Sequence, residues 1–322
     1  MFLSVITPTF NRADTLHRCY ESLCKQDFHD FEWIVIDDGS TDETAERVLA
    51  WQAEAPFSIL YAKKPNGGKP SAVNRGVALA KGEMCVILDS DDAVADQGLQ
   101  HLVSAWCSLT PGVREKYWCV VALCEDSLTN TIVGDSFPAE SMTSSVGELL
   151  YKYKLSGEKW GLMRTDLLKL NPYPEGAGFR FVPESLIWNR LGRDYQYLSL
   201  NKVVRTYYLP TGAALGNLSG RANSIRNAAG FLQADIETLN MDFPTWFLSA
   251  PMFFMKRAAQ LSRYGLHSKL LGKSIGALNG RLARLLVLAT FPLGLAVYVR
   301  DKLWFRYVYT KVKSKQLKET IA

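Results

Sequence analysis

Short apolar runs alternate with stretches of helical period through the first third of the chain. Residues 3–7 read as a buried strand ended by Pro8, and 15–25 place Leu16, Cys19, Tyr20 and Leu23 at helical spacing, with Asp14 positioned to cap that helix. Residues 32–36 form a second strand closing on Asp37-Asp38-Gly39-Ser40, after which Asp42 opens a helix through Ala53. Residues 57–61 read as a third strand, 70–80 as a helix behind the turn Asn66-Gly67-Gly68-Lys69, and 84–88 as a fourth strand. Strands separated by helices of this length require right-handed crossovers, so the pattern predicts an α/β fold, a mostly parallel central sheet with helices on both faces. Beyond about residue 115 the pattern loosens: 117–123 looks like one more strand, followed by a long irregular stretch without internal repeats. The organisation expected is an α/β domain over 1–215, in halves 1–115 and 116–215, and a helical region over 216–322.

Composition narrows the class. A chain of 322 residues with 48% hydrophobic and 21% charged side chains is an ordinary globular chain, large enough for about two domains. The six cysteines show no CxxC pair and no histidine at metal-ligand spacing, so free thiols in a reducing compartment are expected, not a disulfide framework or a zinc site. The N-terminus enters its first strand without a basic segment and a long apolar one, which implies a cytosolic start.

The net charge of +5 conceals an asymmetry. Residues 1–150 hold 11 Lys plus Arg against 22 Asp plus Glu, a net of −11 that leaves +16 for the remainder. Residues 251–322 carry 14 basic and 2 acidic side chains. Within them, 285–299 are fifteen residues without formal charge, short of the roughly 20 a bilayer-spanning helix needs and interrupted by Pro292 and Gly294. With Trp304, Phe305, Tyr307 and Tyr309 among the basic residues that follow, the pattern suits a segment lying in the headgroup region of an anionic leaflet. A helix buried against the first domain is the alternative.

Candidate chemistry gathers at strand ends. Val86-Ile87-Leu88-Asp89-Ser90-Asp91-Asp92 sets three carboxylates within four positions directly after a strand. Such acids repel unless a cation offsets them, and the carboxyl edge of an open α/β sheet is where ligands bind. An acidic turn is the plainer alternative. Asp37 and Asp38 end the second strand, where a carboxylate can accept hydrogen bonds from a nucleobase imide or a ribose hydroxyl, and Gly39 permits the exit turn. An ordinary strand-to-helix turn capped by Ser40 or Asp42 is equally compatible. Gly67-Gly68-Lys69 brings backbone amides and an ammonium to a helix N-terminus, suited to a phosphate, although neither a P-loop nor a GxGxxG fingerprint is present.

Taken in order, Ser4-Val5-Ile6-Thr7-Pro8-Thr9-Phe10-Asn11-Arg12, Val35-Ile36-Asp37-Asp38-Gly39-Ser40-Thr41-Asp42, Asn66-Gly67-Gly68-Lys69 with Asn74-Arg75-Gly76 and Ala80-Lys81-Gly82-Glu83, and Leu88-Asp89-Ser90-Asp91-Asp92 closely resemble family 2 glycosyltransferases of GT-A fold. The resemblance covers about residues 1–215. It implies a Rossmann-like sheet whose first half binds a nucleotide sugar and whose second half faces the acceptor. It further implies inverting transfer from a nucleotide diphosphate donor, usually a UDP-sugar, with Mn²⁺ or Mg²⁺ at the DxD acids. By position, Thr9 and Asp38 line the nucleoside pocket, Lys69 lies near the nucleotide, Asp89 and Asp91 form the DxD motif, and Asp91 and Asp92 contact metal and ribose.

Breaking the anomeric bond leaves negative charge on the departing diphosphate, which a divalent cation on hard oxygen ligands stabilises. An inverting displacement also needs a general base on the acceptor side, from another stretch of chain. Glu184, in Phe181-Val182-Pro183-Glu184-Ser185-Leu186-Ile187-Trp188-Asn189-Arg190, is the candidate; it resembles an acceptor-side block of a bacterial branch, with Glu-Ser where Glu-Asp is usual. Asp194, Glu175 and Glu158 are alternatives, and Glu184 could instead be a first-turn acid of the following helix. Trp160 and Trp188 could stack on a sugar face or fill the core.

The chain lacks the Gln-x-x-Arg-Trp motif and the several membrane-spanning helices of processive synthases, which implies transfer of one sugar per visit. The tail then points to a saccharide or polyprenyl-diphosphate-linked acceptor of surface polysaccharide biosynthesis, met by a cytoplasmic enzyme at the inner face of the cell membrane. Two other classes are weighed. A nucleotidyltransferase would carry an N-terminal glycine-rich, lysine-bearing loop that Thr7-Pro8-Thr9-Phe10-Asn11 does not supply. A non-catalytic nucleic-acid-binding protein would have to overcome the repulsion between phosphates and the acidic first half, so no nucleic-acid partner is expected.

Overall fold

The computed structural model describes residues 1–176, 179–208 and 221–321, except the side chains of 221 and of 308–321. The chain divides into two compact units, Met1–Asn217 and Leu218–Ala322. The boundary expected at 215–216 lies outside the described residues.

The first unit is built on β1 (Leu3–Thr9), β2 (Phe31–Asp37), β3 (Ser58–Lys63) and β4 (Met84–Ile87), joined by α1 (His17–Cys24), α2 (Thr44–Glu54) and α3 (Lys69–Leu79). All seven positions of β1 and of β2 are buried, which is why both read as nearly unbroken apolar runs: a parallel strand covered on both faces has no polar side to show. β1 continues through Pro8 to Thr9, further than its apolar pattern indicates. Asp14 does not cap α1, whose N-cap residue is Leu16 without a side-chain cap bond.

β5 (Ala93–Val94), α4 (Gly98–Ser108) and α5 (Pro111–Arg114) lead to β6 (Tyr117–Asp126) and β7 (Ser141–Ser144). The stretch that looked irregular is ordered. A π-helical turn at Glu148–Lys152 precedes β8 (Lys159–Arg164), α6 (Thr165–Leu170), α7 (Ser185–Asp194) and β9 (Gln196–Tyr207). The sheet runs β3-β2-β1-β4-β8-β6-β9-β5, with β7 on β9. Its first four strands in that order are parallel; β8 enters antiparallel between β4 and β6, and β9 returns parallel to β6 through several register shifts. The fold is therefore α/β with a mixed central sheet, its parallel part carrying the strand ends that hold the acids.

Trp33 is fully buried in the core, donates its indole N–H to Thr7 Oγ1 at 2.9 Å, and lies beside Tyr20, which stacks on Trp51 at 4.7 Å between centroids. These aromatics seat α1 and α2 on the sheet beneath the first two strand ends.

The second unit comprises α8 (Arg221–Arg226), α9 (Ala228–Met241), α10 (Phe243–Trp246), α11 (Pro251–Ser268), α12 (Leu271–Gly276) and α13 (Arg281–Ile321). Buried acids tie its helices together: Arg257 of α11 reaches Asp235 of α9 at 3.1 Å, and Arg263 reaches Asp301 of α13 at 2.6 Å. Contrary to the expectation from sequence, neither Pro292 nor Gly294 interrupts α13. Pro292 is tolerated on the exposed side, and Gly294 permits close packing, since a Cβ there would lie 2.5 Å from the carbonyl oxygen of Ala259. By length and composition alone, Arg281–Tyr307, which contains an 18-residue window of mean hydropathy 2.0, is sufficient to cross a membrane.

Replacing Trp33 by Ala removes one of the largest side chains of this core and should cost about 3–5 kcal/mol. A urea titration followed by far-UV circular dichroism should show a lowered midpoint for the first unit's transition; an unchanged midpoint would contradict this packing.

Candidate active site

The acid turn after β4 is held from behind by α1. Thr15 donates to the carbonyl of Ser90 at 3.0 Å, Arg18 to that of Asp91 at 2.9 Å, and the buried Cys19 thiol to those of Asp89 and Asp92 at 3.2 and 3.3 Å. With its carbonyls occupied, the turn spreads the three carboxylates into different surroundings.

Asp89 meets Lys69. The ammonium lies 2.6 Å from Asp89 Oδ1 and 2.6 Å from Glu184 Oε1, so one cation joins the acid turn to the loop that opens α7. Burial works against the charge of Lys69, but the two carboxylates outweigh it and hold its pKa above the ordinary value. Burial likewise opposes ionisation of Asp89, while Lys69, Arg205 and Arg12 together keep its pKa below the usual carboxylate range. Glu184 is the N-cap residue of α7 but makes no capping bond, which leaves its carboxylate to Lys69.

Asp92 faces inward. It is 1% exposed, lies 2.8 Å from Arg205 of β9, and accepts the backbone N–H of Tyr208 at 3.0 Å. Burial pushes its pKa up to about 7 against the pull of Arg205. That environment does not suit a metal ligand, and Asp92 is here the internal partner of Arg205. Asp91 points outward, with Arg12 at 3.5 Å as its cationic neighbour. Among the described residues no three His, Cys, Asp or Glu side chains converge as a metal cage. Asp89 and Asp91 could hold a hard cation only in partnership with an oxygen-rich ligand, the usual situation for Mg²⁺ at a substrate phosphate.

Asp38 is also committed. Its carboxylate accepts Lys64 at 2.6 Å and the backbone N–H groups of Gly67 and Gly68 at 2.9 and 2.7 Å. The glycine-turn amides expected for a phosphate are thus occupied by Asp38, which shapes the turn that presents Lys69. Gly68 has a φ of 93°, and a Cβ on it would lie 2.2 Å from the carbonyl oxygen of Arg180, so only glycine lets the loop before Glu184 pass this close. Asp37 is buried and accepts Ser40 N–H at 2.7 Å and Tyr61 hydroxyl at 2.6 Å, fixing the exit turn. Thr9 Oγ1, at the end of β1, is buried with no hydrogen-bond partner.

Of the alternative bases, Glu175 accepts Asn74 at 2.6 Å and Asp194 ends α7, the far end from Glu184. Glu158 is nearer: burial raises its pKa, and its carboxylate lies 4.0 Å from Arg205. Trp160 is 3% exposed, with its indole N–H donated to the carbonyl of Ile87 at 2.6 Å, and it lines the inner wall of the cleft beside Asp89 and Glu184. Trp188 lines the same small cleft as Asp89, Glu184 and Arg205, about 20 Å³ in volume, and its indole nitrogen is buried without a partner.

Arg205 is the residue that sequence reasoning missed. Its signal is an arginine between Val203-Val204 and Thr206-Tyr207 of an otherwise ordinary strand, and nothing local indicates that its partner lies 113 positions earlier.

Comparisons with known proteins bear on the family and the fold. Residues 4–113 match the family described as Glycosyl transferase family 2. The GalNAc(5)-diNAcBac-PP-undecaprenol beta-1,3-glucosyltransferase of Campylobacter jejuni is 29% identical over 240 residues, covering 72% of this chain and 72% of the relative. Two further curated relatives, also glycosyltransferases, are matched over only 33% of their length. The structure is similar to S. aureus TarS 1–349 in complex with UDP-GlcNAc, with a TM-score of 0.59 at 20% identity over 93% of this chain and 92% of that one. It is also similar to the mannosyltransferase PcManGT from Pyrobaculum calidifontis in complex with GDP-Man and Mn²⁺, with a TM-score of 0.53 at 20% identity over 94% and 82%. At that identity the two structures speak for the GT-A fold alone.

Arg205→Met leaves Asp92 buried without its cation and should lower the unfolding free energy by about 3 kcal/mol. Combining it with Asp92→Asn should cost less than the two single changes summed, as measured by denaturant titration of all four proteins; strict additivity would contradict the pairing.

Proposed function

We propose that the chain, whose residues 4–113 match Glycosyl transferase family 2, transfers one sugar, with inversion, from a UDP-sugar to a hydroxyl of a saccharide carried on a polyprenyl diphosphate. The observation that carries the reading is the placement of Lys69 within 2.6 Å of both Asp89 and Glu184. It brings an acceptor-side carboxylate, from an otherwise separate loop, within one ammonium's width of the acid turn.

Glu184 is the general base in this reading, taking the proton of the attacking hydroxyl as the anomeric bond breaks. Its position just before α7 leaves the carboxylate at the mouth of the cleft, with Trp188 one turn further on. Lys69 faces the departing diphosphate and keeps Asp89 and Glu184 from repelling one another while no substrate is bound. Thr9 supplies a spare hydroxyl beside the nucleoside, and Asp38 acts indirectly by fixing the glycine turn. Arg205 and Asp92 form the rigid floor beneath Asp89.

The acid set fits a divalent ion. With Asp92 committed to Arg205, the acids Asp89, Asp91 and Glu184 face only Lys69 and Arg12, so three carboxylates meet two cations. Mn²⁺ or Mg²⁺ would be held by Asp89 and Asp91, and would neutralise charge developing on the leaving diphosphate. The bound UDP-GlcNAc of one structural neighbour, and the GDP-Man and Mn²⁺ of another, support a nucleotide-sugar donor and such an ion.

The acceptor class is supported by the Campylobacter relative, which by its name acts on a PP-undecaprenol-linked glycan. An acceptor of that kind sits in an anionic leaflet, and the basic, apolar second unit suits a cytoplasmic protein working peripherally at the inner face of the cell membrane.

Incubation with a panel of UDP-sugars, Mn²⁺ and a lipid-linked acceptor should release UDP, and EDTA should abolish the release. Glu184→Gln should lower kcat by about 10²- to 10⁴-fold with little change in UDP affinity. Full turnover by the variant would remove Glu184 as base, and pyrophosphate release in place of UDP would overturn the reaction class.

A further inference from the structure

Helix α13 is apolar on the side where a water-facing helix is polar. Its buried positions, Ala283, Val287, Thr290, Gly294 and Asp301, recur every three, four or seven residues and form one seam, which Gly294 and Asp301 fasten to α11. On the opposite side Leu282, Leu285, Leu288, Leu293 and Leu303 are between 58% and 71% exposed. No formal charge interrupts that side between Arg284 and Arg300, while Arg281 and Arg284 flank one end and Arg300, Lys302 and Arg306 the other, all exposed. Asp301, the acid within this stretch, is turned inward onto Arg263. A helix apolar all round belongs either in a core or at a lipid boundary, and the outer half of this one is not in a core.

Such a helix can cross a bilayer or lie along it, and α11 decides between the two. Gly294 touches the backbone of Ala259, Tyr298 packs on the His267 ring at 4.7 Å, and Arg263 lies 2.6 Å from Asp301, so the two helices run side by side along this stretch. α11 carries Lys256, Arg257, Gln260, Arg263 and His267, and Arg257 is bound in turn to Asp235 of α9. A crossing α13 would have to carry these charges into hydrocarbon or tear away from α11, and either is costly. Its uncharged stretch, about 22 Å at 1.5 Å per residue, is also shorter than the roughly 30 Å hydrocarbon core. Lying in the interface removes both difficulties: the leucines enter the acyl boundary, the flanking cations meet anionic headgroups, and the α11 seam stays intact.

We infer that the second unit docks on an anionic bilayer in plane, with the outward face of α13 inserted to the acyl boundary and both of its ends on the same side of the membrane. The inference rests on the membrane reading given above and adds depth, face and orientation to it.

The test uses the full-length protein and externally added vesicles of phosphatidylcholine with or without phosphatidylglycerol. Flotation should show binding that requires the anionic lipid and falls with salt, and Leu288→Glu combined with Leu293→Glu should lower partitioning at least ten-fold, with an unchanged far-UV spectrum. Absence of binding to either vesicle would refute the membrane reading itself. For orientation, Arg281→Cys and Arg306→Cys are made singly in a Cys24→Ser, Cys107→Ser background and treated, vesicle-bound, with a membrane-impermeant maleimide. Both should label; protection of one end with continued binding would leave the membrane reading intact and overturn the in-plane docking. Light scattering covers the remaining occupant: if the Glu double variant dissolved a dimer without altering vesicle binding, the face would be a contact between copies and the inference would fail.

Discussion

One ammonium between two carboxylates organises the first unit. Lys69 belongs to the start of α3, Asp89 to the turn after β4 and Glu184 to the loop before α7, and the one ammonium joins all three places. The contact depends on parts that do no chemistry. Asp38 folds the glycine turn by accepting two of its amides, Gly68 adopts a backbone angle and a closeness to Arg180 that a side chain would forbid, and α1 holds the acid turn by its carbonyls. Each carboxylate therefore does a different job: Asp38 shapes, Asp92 anchors, Asp89 and Glu184 are directed at the cleft, and Asp91 faces outward beside Arg12.

This division follows from the cost of burying charge. A carboxylate removed from water needs a cation or several N–H donors, and the fold supplies Arg205 to Asp92 and two amides with Lys64 to Asp38. The acids left near the surface share Lys69 and Arg12 and retain a deficit of positive charge. A site with that imbalance favours a ligand that arrives with a divalent ion, and a nucleoside diphosphate complexed to Mn²⁺ or Mg²⁺ is such a ligand.

Much of this was legible in the sequence wherever the chemistry lies in one contiguous block. The strand ends at Thr9, Asp38 and Asp89, and the early βα alternation, could be read because a strand covered on both faces must be apolar and the acids that interrupt it stand out. What could not be read depends on pairing across long stretches of chain. Arg205 looks like any strand residue until β9 is laid beside β6, and Asp92 cannot be told from Asp91 without it. Strand β8 alternates too weakly to announce itself, and its Trp160, a plausible sugar platform by type, is consumed by a bond to the end of β4. In the second unit the composition of α13 was visible, but the continuity of the helix through Pro292 and Gly294 was not, because the close packing at Gly294 depends on another helix.

In the proposed reaction Lys69 holds the place between donor and base until a metal-bound nucleotide arrives. A crystal of the full-length chain grown with UDP and Mn²⁺, with data collected at the manganese absorption edge, tests this most directly. The account predicts one anomalous peak in direct contact with Asp89 or Asp91 and the diphosphate, with Lys69 turned to a phosphate oxygen and Glu184 facing the open cleft. A manganese ion seated on Asp92, or UDP bound with Lys69 still clasped between Asp89 and Glu184, would contradict it.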